Sequence, residues 1–287
     1  GARGSVNQGY VTAGTDTGHQ GNDGTFMLND SLARVNFGHV AIHRTAEVTK
    51  ALIRAHYGED PEYSYFLGCS RGGGQAMMTS QRYPEDFDGI VAGAPAFHWA
   101  GFAATGLRIV QELYPDPAEL SKTVLTSKDI ERLLEDVMAQ CDEQDGLKDT
   151  IISDPLNVRF DLDQVSWLSE VQRAAVESIY SGARNQDGPI YPGFPLGSEI
   201  ELFPWQVGPV PNPGGVPSLG FHFTVGLYRY FVFNDAGWDY SDYDFSTWAK
   251  DTELLAKTLS AVNTDLSEFR DRGGKMIFWH GWSDAAL

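Results

Sequence analysis

The run Gly68-Cys69-Ser70-Arg71-Gly72 constrains this chain more than any other stretch of its sequence. It fits G-x-S-x-G. Before it, Tyr63 to Leu67 is an apolar and aromatic run long enough for a buried strand; after it, a helical pattern extends from Gln75 to Arg82. A strand that becomes a helix over so few residues must bend sharply. The bend forces the serine backbone into strain and lifts its Oγ out of the sheet, and small flanking residues let the two backbones approach. The N–H of Arg71 then lies at a helix N-terminus, aimed at a developing oxyanion. A glycine-rich turn with an incidental serine is the plainer description; the strand and helix flanks favour a nucleophile. No Gly-Lys-[Ser/Thr] follows, so this is not a phosphate-binding P-loop.

The surroundings fit an α/β fold. Tyr10 to Ala13 reads as a short strand, and Thr15-Asp16-Thr17-Gly18-His19 as the loop after it. Residues 37 to 57 read as a helix, with Ala41, Val48, Leu52 and Ala55 in one stripe, joined by Ile42 and Ala46, and Gly58 as its stop. Tyr83-Pro84 ends the helix after Ser70. Gly89 to Gly93 is the next strand, and strand, helix, strand in that order implies a parallel sheet with crossover helices. Lys128 to Gln140 predicts a further helix, with Ile130, Leu133, Leu134 and Val137 on one side. Residues 189 to 220 are rich in Pro, Gly and aromatics and lack periodicity, as long functional loops do. A strand returns at Lys275 to Trp279, followed by His280-Gly281-Trp282-Ser283-Asp284. The simplest organisation is a core over 1–96, an insertion over 97–270, and the core resumed over 271–287.

Charge narrows the function. The net charge of −18 argues against a nucleic-acid partner, which needs a basic footprint. A hydrophobic fraction of 42% supports a large core, and no apolar run is long enough to span a membrane. Two cysteines, Cys69 and Cys141, are too few for a disulfide scaffold. They pair with each other, stay free, or have lost their partners. The sequon Asn29-Asp30-Ser31 is a weak pointer to secretion. The chain starts at Gly1, which predicts a removed signal peptide or a cut N-terminus.

A serine nucleophile needs a base and a group to orient that base. Asp284, on the loop after a strand, stands where the acid belongs. The base is harder to find. No histidine follows Asp284, and the seven present are His19, His39, His43, His56, His98, His222 and His280. His39, His43 and His56 fall on the predicted helix and read as ordinary structural residues. His280 is near Asp284 in sequence, but a short loop struggles to set its ring between Asp284 and Ser70. The expectation is that the base lies beyond residue 287.

These residues resemble the tannase and fungal feruloyl esterase family, the group that includes the bacterial enzyme hydrolysing mono(2-hydroxyethyl) terephthalate. The likeness is carried by Gly68-Cys69-Ser70-x-Gly72-Gly73, by the run from Gln81 to Pro95, by Thr15 to His19, by Tyr230 to Asp235, and by His280 to Asp284. It implies an α/β-hydrolase core with a large inserted lid, truncated here at both ends, and hydrolysis of phenolic esters. It maps Ser70 to the nucleophile, Asp284 to the acid and the Arg71 N–H to the oxyanion hole. Gly1-Ala2-Arg3-Gly4 matches the remnant of a glycine-rich stretch that supplies a second oxyanion donor. The family's disulfides would link Cys69 to a cysteine beside the catalytic histidine, and Cys141 to the position of Val158. The first partner would be missing with the tail, and the second bridge is absent.

The segment Cys141 to Ile151 gathers Asp142, Asp145 and Asp149 around Gly146. Hard oxygen ligands in a turn suit Ca²⁺, although the spacing is not that of an EF-hand. On sequence alone a solvated acidic loop is the better description. The resemblance implies a structural calcium site in the lid, with side chains from Asp142, Asp145 and Asp149 and carbonyls from Leu147 and Ile151. Aromatic residues crowd the insertion, among them Phe194, Trp205, Phe221, Phe223, Tyr228, Tyr230, Phe231 and Trp238. Most belong to a core, and a few are free to line a cleft for a planar acyl group. The expected protein is a secreted serine carboxylesterase that takes small aromatic esters, some attached to plant cell-wall polysaccharide. Feruloyl esters come first and galloyl esters second. Two other readings stay open: a calcium-stabilised binding module without catalysis, and a serine hydrolase that uses His280.

Overall fold

The computed structural model describes residues 5–208 and 217–287. Gly1-Ala2-Arg3-Gly4 lies outside them, as does part of the irregular 189–220 segment. Five strands are present among the described residues: β1 (Tyr65–Cys69), β2 (Gly89–Gly93), β3 (Ala183–Asn185), β4 (Gly188–Tyr191) and β5 (Lys275–Trp279). The longer helices are α1 (Ala41–Tyr57), α2 (Arg71–Arg82), α3 (Trp99–Leu113), α4 (Ser127–Cys141) and α5 (Glu170–Ser181). They fall into two compact units. None is long and apolar enough to cross a membrane.

The first unit comprises Gly1–Asn22, Phe26–Trp99 and Glu253–His280. Its sheet has the order β1-β2-β5, parallel throughout. β2 and β5 occupy the residues expected of them, because each is a short apolar run. The register aligns Phe66, Ile90 and Met276 in one row. That row packs with Ala76 and Met77 of α2 and with Phe87 and Phe269 into a core. The next row, Leu67, Val91 and Ile277, faces the other side, where Leu67 and Ile277 are 73% and 63% exposed. Parallel sheets normally bury both faces; this one buries a single face within the chain described.

The buried strand expected over Tyr63 to Leu67 runs instead from Tyr65 to Cys69 and is largely exposed, and two further expectations fail in this unit. Tyr10 to Ala13 forms no strand, and Tyr10 and Val11 stand about half exposed. Local β propensity had no partner edge to pair with. The helix from residue 37 begins as a single π-turn, Asn36–Val40, before α1, and ends on Gly58 at φ 83° as expected. Its stripe is only half right: Ile42 and Ala46 are buried, while Val48 and Leu52 face solvent.

The second unit comprises Asp23–Thr25, Ala100–Thr252 and Gly281–Leu287. α4 starts on a reciprocal capping box between Thr126 and Asp129, and α5 on one between Ser169 and Gln172. α3 is almost wholly buried, from Ala100 to Leu113. Phe221, Tyr228 and Phe231 are core residues, whereas Phe223 is exposed.

One buried charge in this unit gives a stability prediction. Glu199 is fully buried and accepts from the Tyr180 hydroxyl at 2.9 Å and from the Gly197 N–H. Burial is the largest influence on it and raises its pKa. The folded chain therefore binds this proton more tightly than the unfolded chain. The carboxyl favours the folded state at low pH, and that contribution is lost as pH rises through the raised pKa. Glu199→Gln keeps the acceptor and removes the charge. We expect it to raise the Tm by about 2–4 °C at pH 8 and by less at pH 4.5, measured by scanning calorimetry. A lower Tm at pH 8 would contradict this.

Candidate active site

Ser70 sits at the junction of β1 and α2 with φ 57° and ψ −124°, exposed to solvent. Few non-glycine residues hold a left-handed φ, and those that do are over-determined by their neighbours. Here the restraints are visible. The Ser70 N–H donates to the Gly93 carbonyl at 3.0 Å, and the Ser70 carbonyl accepts from Ala96 at 3.0 Å and from Gly74 at 3.1 Å. The elbow also requires missing side chains. A Cβ on Gly68 would collide with the Gly72 carbonyl, one on Gly73 with Gly93, and one on Gly74 with Ala96. Gly72 itself has open space where its Cβ would be, so it matters as backbone for Gly68 to lie against.

The Gly74 N–H is the first to bond back into α2, to Ser70. The N–H groups of Arg71, Gly72 and Gly73 therefore lack acceptors inside the helix. An oxyanion forming beside Ser70 would find donors of this kind and the positive end of the helix dipole.

Three histidines of the first unit, His39, His43 and His19, have other partners. His39 Nδ1 lies 2.7 Å from the Tyr83 hydroxyl, and burial lowers its pKa to about 4. His43 stacks on Tyr83 at 4.0 Å and donates from Nδ1 to the buried Asp86 at 2.9 Å. His19 stacks on Phe26 at 3.8 Å with its Nδ1 3.2 Å from Thr17 Oγ1. Asp284, in the second unit, is partly buried, and its Oδ1 accepts the Ala286 N–H at 2.9 Å. Gln206 fixes the same turn by donating to the Ala285 carbonyl at 2.9 Å, a role that no sequence motif announced.

The calcium expectation is overturned. Among the described residues, no group of three or more His, Cys, Asp or Glu is arranged to hold a metal ion. The carboxylates are spent on neighbouring amides instead. Asp142 Oδ1 accepts from Asp149 and Thr150, and Asp145 from Leu147 and Ser153. Asp149 accepts from Ile151 at 3.1 Å. The hydrogen bonds from Ser153 and Leu147 hold the Asp145 pKa below its usual value. The residues do not fit the ion.

The disulfide expectation fails with it. Cys69 is a free exposed thiol and Cys141 a free buried one. Cys141 Sγ lies 3.7 Å from the Arg159 carbonyl, and burial raises its pKa. Cys69 belongs to the first unit and Cys141 to the second, and they do not pair.

The second unit holds a cavity of about 150 Å³. Phe102, Tyr191, Phe194, Trp205 and Phe223 give it aromatic walls, and Thr105 and Gln206 are among its polar liners. A dry cavity of roughly that volume accepts a benzene ring in another protein. Of the eight aromatic residues singled out above, Phe194, Trp205 and Phe223 line it, and Trp205 and Phe223 stand 6.2 Å apart.

The family model described as "Tannase and feruloyl esterase" matches residues 2–287. Among known proteins, the chain is 32% identical over 291 residues to a probable feruloyl esterase B-1 of Aspergillus fumigatus, covering 97% of this chain and 53% of that protein. It is 29% identical over 302 residues to feruloyl esterase B of Aspergillus niger, covering 99% and 54%. Among solved structures, feruloyl esterase B from Aspergillus oryzae superposes with a TM-score of 0.83 at 30% identity, over 98% of this chain and 56% of that one. Tannin acyl hydrolase from Aspergillus niger, at 21% identity and a TM-score of 0.67 over 93% of this chain and 54% of that one, shares the fold. The chain spans about half the length of the curated relatives it matches.

Proposed function

We propose, because this chain belongs to the tannase and feruloyl esterase family, that it is the nucleophile-bearing part of a serine carboxylesterase for aromatic esters. The observation that carries the reading is Ser70: an exposed serine on a left-handed backbone, between a parallel strand and the open end of a helix. Its Oγ attacks the ester carbonyl, and the carbonyl electron pair moves onto oxygen. The Arg71 N–H donates to that oxygen. The alcohol leaves with the proton taken from Ser70, and water then releases the acid from the acyl-enzyme. Asp284 is the proposed acid of the triad. The proposed base is a histidine that these 287 residues do not supply; His280 is the alternative within them.

We assign the second unit as the lid and the first as the core. The aromatic cavity of the second unit is our candidate for holding the ring of the ester, feruloyl before galloyl. Phe223 is exposed and replaceable without opening the core. Phe223→Ala is expected to weaken binding of ferulate to the chain about tenfold, read from quenching of tryptophan fluorescence. Unchanged affinity would remove the cavity from the proposal. Secretion belongs to the same reading and is supported by the sequon at Asn29, which is exposed beside the short helix Ser31–Val35.

Methyl ferulate, offered to this chain and to a form extended past Leu287, tests the whole. Turnover only in the extended form supports the missing base. Turnover in this chain that is lost on His280→Ala supports the alternative. Turnover in neither returns the protein to a binding role.

A further inference from the structure

Arg71 is a partly buried cation, its Nε enclosed, without a counter-ion among the described residues. Its guanidinium carbon lies 4.3 Å from the centre of the Phe37 ring and 5.2 Å from that of Trp99. Nη2 donates to the Phe37 carbonyl and approaches that of Gly38 at 3.5 Å. Nε is buried with no hydrogen-bond partner. Among the described residues no Asp or Glu forms an ion pair with it. Burial lowers its pKa to about 9, which leaves it charged at neutral pH. An arrangement like this costs stability, because two rings and a pair of carbonyls replace less than water offered.

The cost falls at one particular place. Arg71 is the first helical residue after Ser70, and its amide is the proposed oxyanion donor. Side chains on a helix slope toward its N-terminus, so the guanidinium lies on the elbow side of α2. Covalent geometry keeps it within about 7 Å of its own amide nitrogen. The slot that holds it is built from packed rings. Phe37 belongs to the π-turn Asn36–Val40, meets Trp99 edge-on at 6.2 Å, and is flanked by Phe26 and His19. A positive charge held in partly desolvated surroundings, with no acid to cancel it, keeps part of its field at that range.

We propose that Arg71 serves the oxyanion twice: its amide donates a hydrogen bond, and its guanidinium supplies positive potential to the same developing charge. The inference rests on Ser70 being the nucleophile. The guanidinium acts through the field and touches no substrate atom, which makes Arg71's side chain a supporting group distinct from its amide.

The test uses the full-length protein and methyl ferulate. Arg71→Ala is expected to lower kcat about 10- to 100-fold and to leave KM within about threefold, because the field acts mainly on the transition state. Ethylguanidinium, which refills the slot with charge, should restore at least a third of the lost kcat. N-ethylurea, of nearly the same shape and neutral, should restore almost none. Equal rescue by both, or no loss in Arg71→Ala, overturns the proposal. If Arg71→Ala fails to fold, Arg71→Met and Arg71→Lys replace it. The lysine variant should then exceed the methionine variant in kcat by at least about tenfold, and equal losses overturn the idea. A wild-type protein without turnover, or with turnover indifferent to Ser70→Ala, would instead refute the esterase reading itself.

Discussion

Ser70→Ala is expected to remove about 10⁴-fold or more of the proposed esterase activity of the extended protein. The fold should survive the change. Alanine drops one exposed oxygen, and the backbone bonds to Gly93, Ala96 and Gly74 are untouched. Alanine tolerates the left-handed φ no better than serine, so no gain in Tm is expected. Methyl ferulate turnover and circular dichroism, measured on the same preparation, separate lost chemistry from lost structure. Retention of activity within tenfold of the unmutated protein would end the proposal that Ser70 is the nucleophile. If the base is the proposed histidine past Leu287, the 287 residues alone should show no more than residual catalysis, about 10³–10⁴-fold over water.

Gly74→Ala carries the largest expected effect on stability, and its sign runs against helix propensity. In an ordinary helix interior, glycine to alanine gains about 1 kcal/mol. Gly74 lies within α2, so propensity alone favours the alanine. A Cβ at this position, however, would run into the carbonyl of Ala96, which is backbone and itself tied to the segment that hydrogen-bonds Ser70. Either α2 moves off the sheet or the Gly93-to-Ala96 segment moves off the elbow. We expect a loss of about 3 kcal/mol, a fall in Tm of roughly 6–12 °C, and loss of activity with it. Gly72→Ala is the control: its Cβ meets nothing, and its stability should stay within about 1 kcal/mol of the unmutated protein. If the two variants behaved alike, close packing at the elbow would not be what these glycines provide.

The parts of the fold that were legible in the sequence share a cause. β2 and β5 are short apolar runs, and α4 carries Ile130, Leu133, Leu134 and Val137 in one stripe, three of them buried; each is a local signal that tertiary packing did not overrule. The serine elbow was readable because its geometry requires glycine on several sides at once. Where the sequence misled, the deciding partner was out of view. Val48 and Leu52 hold helical spacing yet face water, because no element described here covers them. Asp142, Asp145 and Asp149 resemble a ligand set, but a carboxylate that accepts amides two to eight residues away looks the same in sequence as one awaiting an ion. Arg71 offered no sign that its side chain would turn toward the carbonyls of Phe37 and Gly38, which come from a turn more than thirty residues earlier.

The single-sided sheet has a practical meaning for anyone handling this chain. Leu67 and Ile277 present an oily ladder, and Tyr65 and Trp279 widen it. A surface of that character draws dyes, detergent micelles and other molecules of its own kind. Fluorescence of anilinonaphthalene sulfonate should brighten on native protein, recovery should improve in mild non-ionic detergent, and Ile277→Lys should ease both symptoms without disturbing the serine bend.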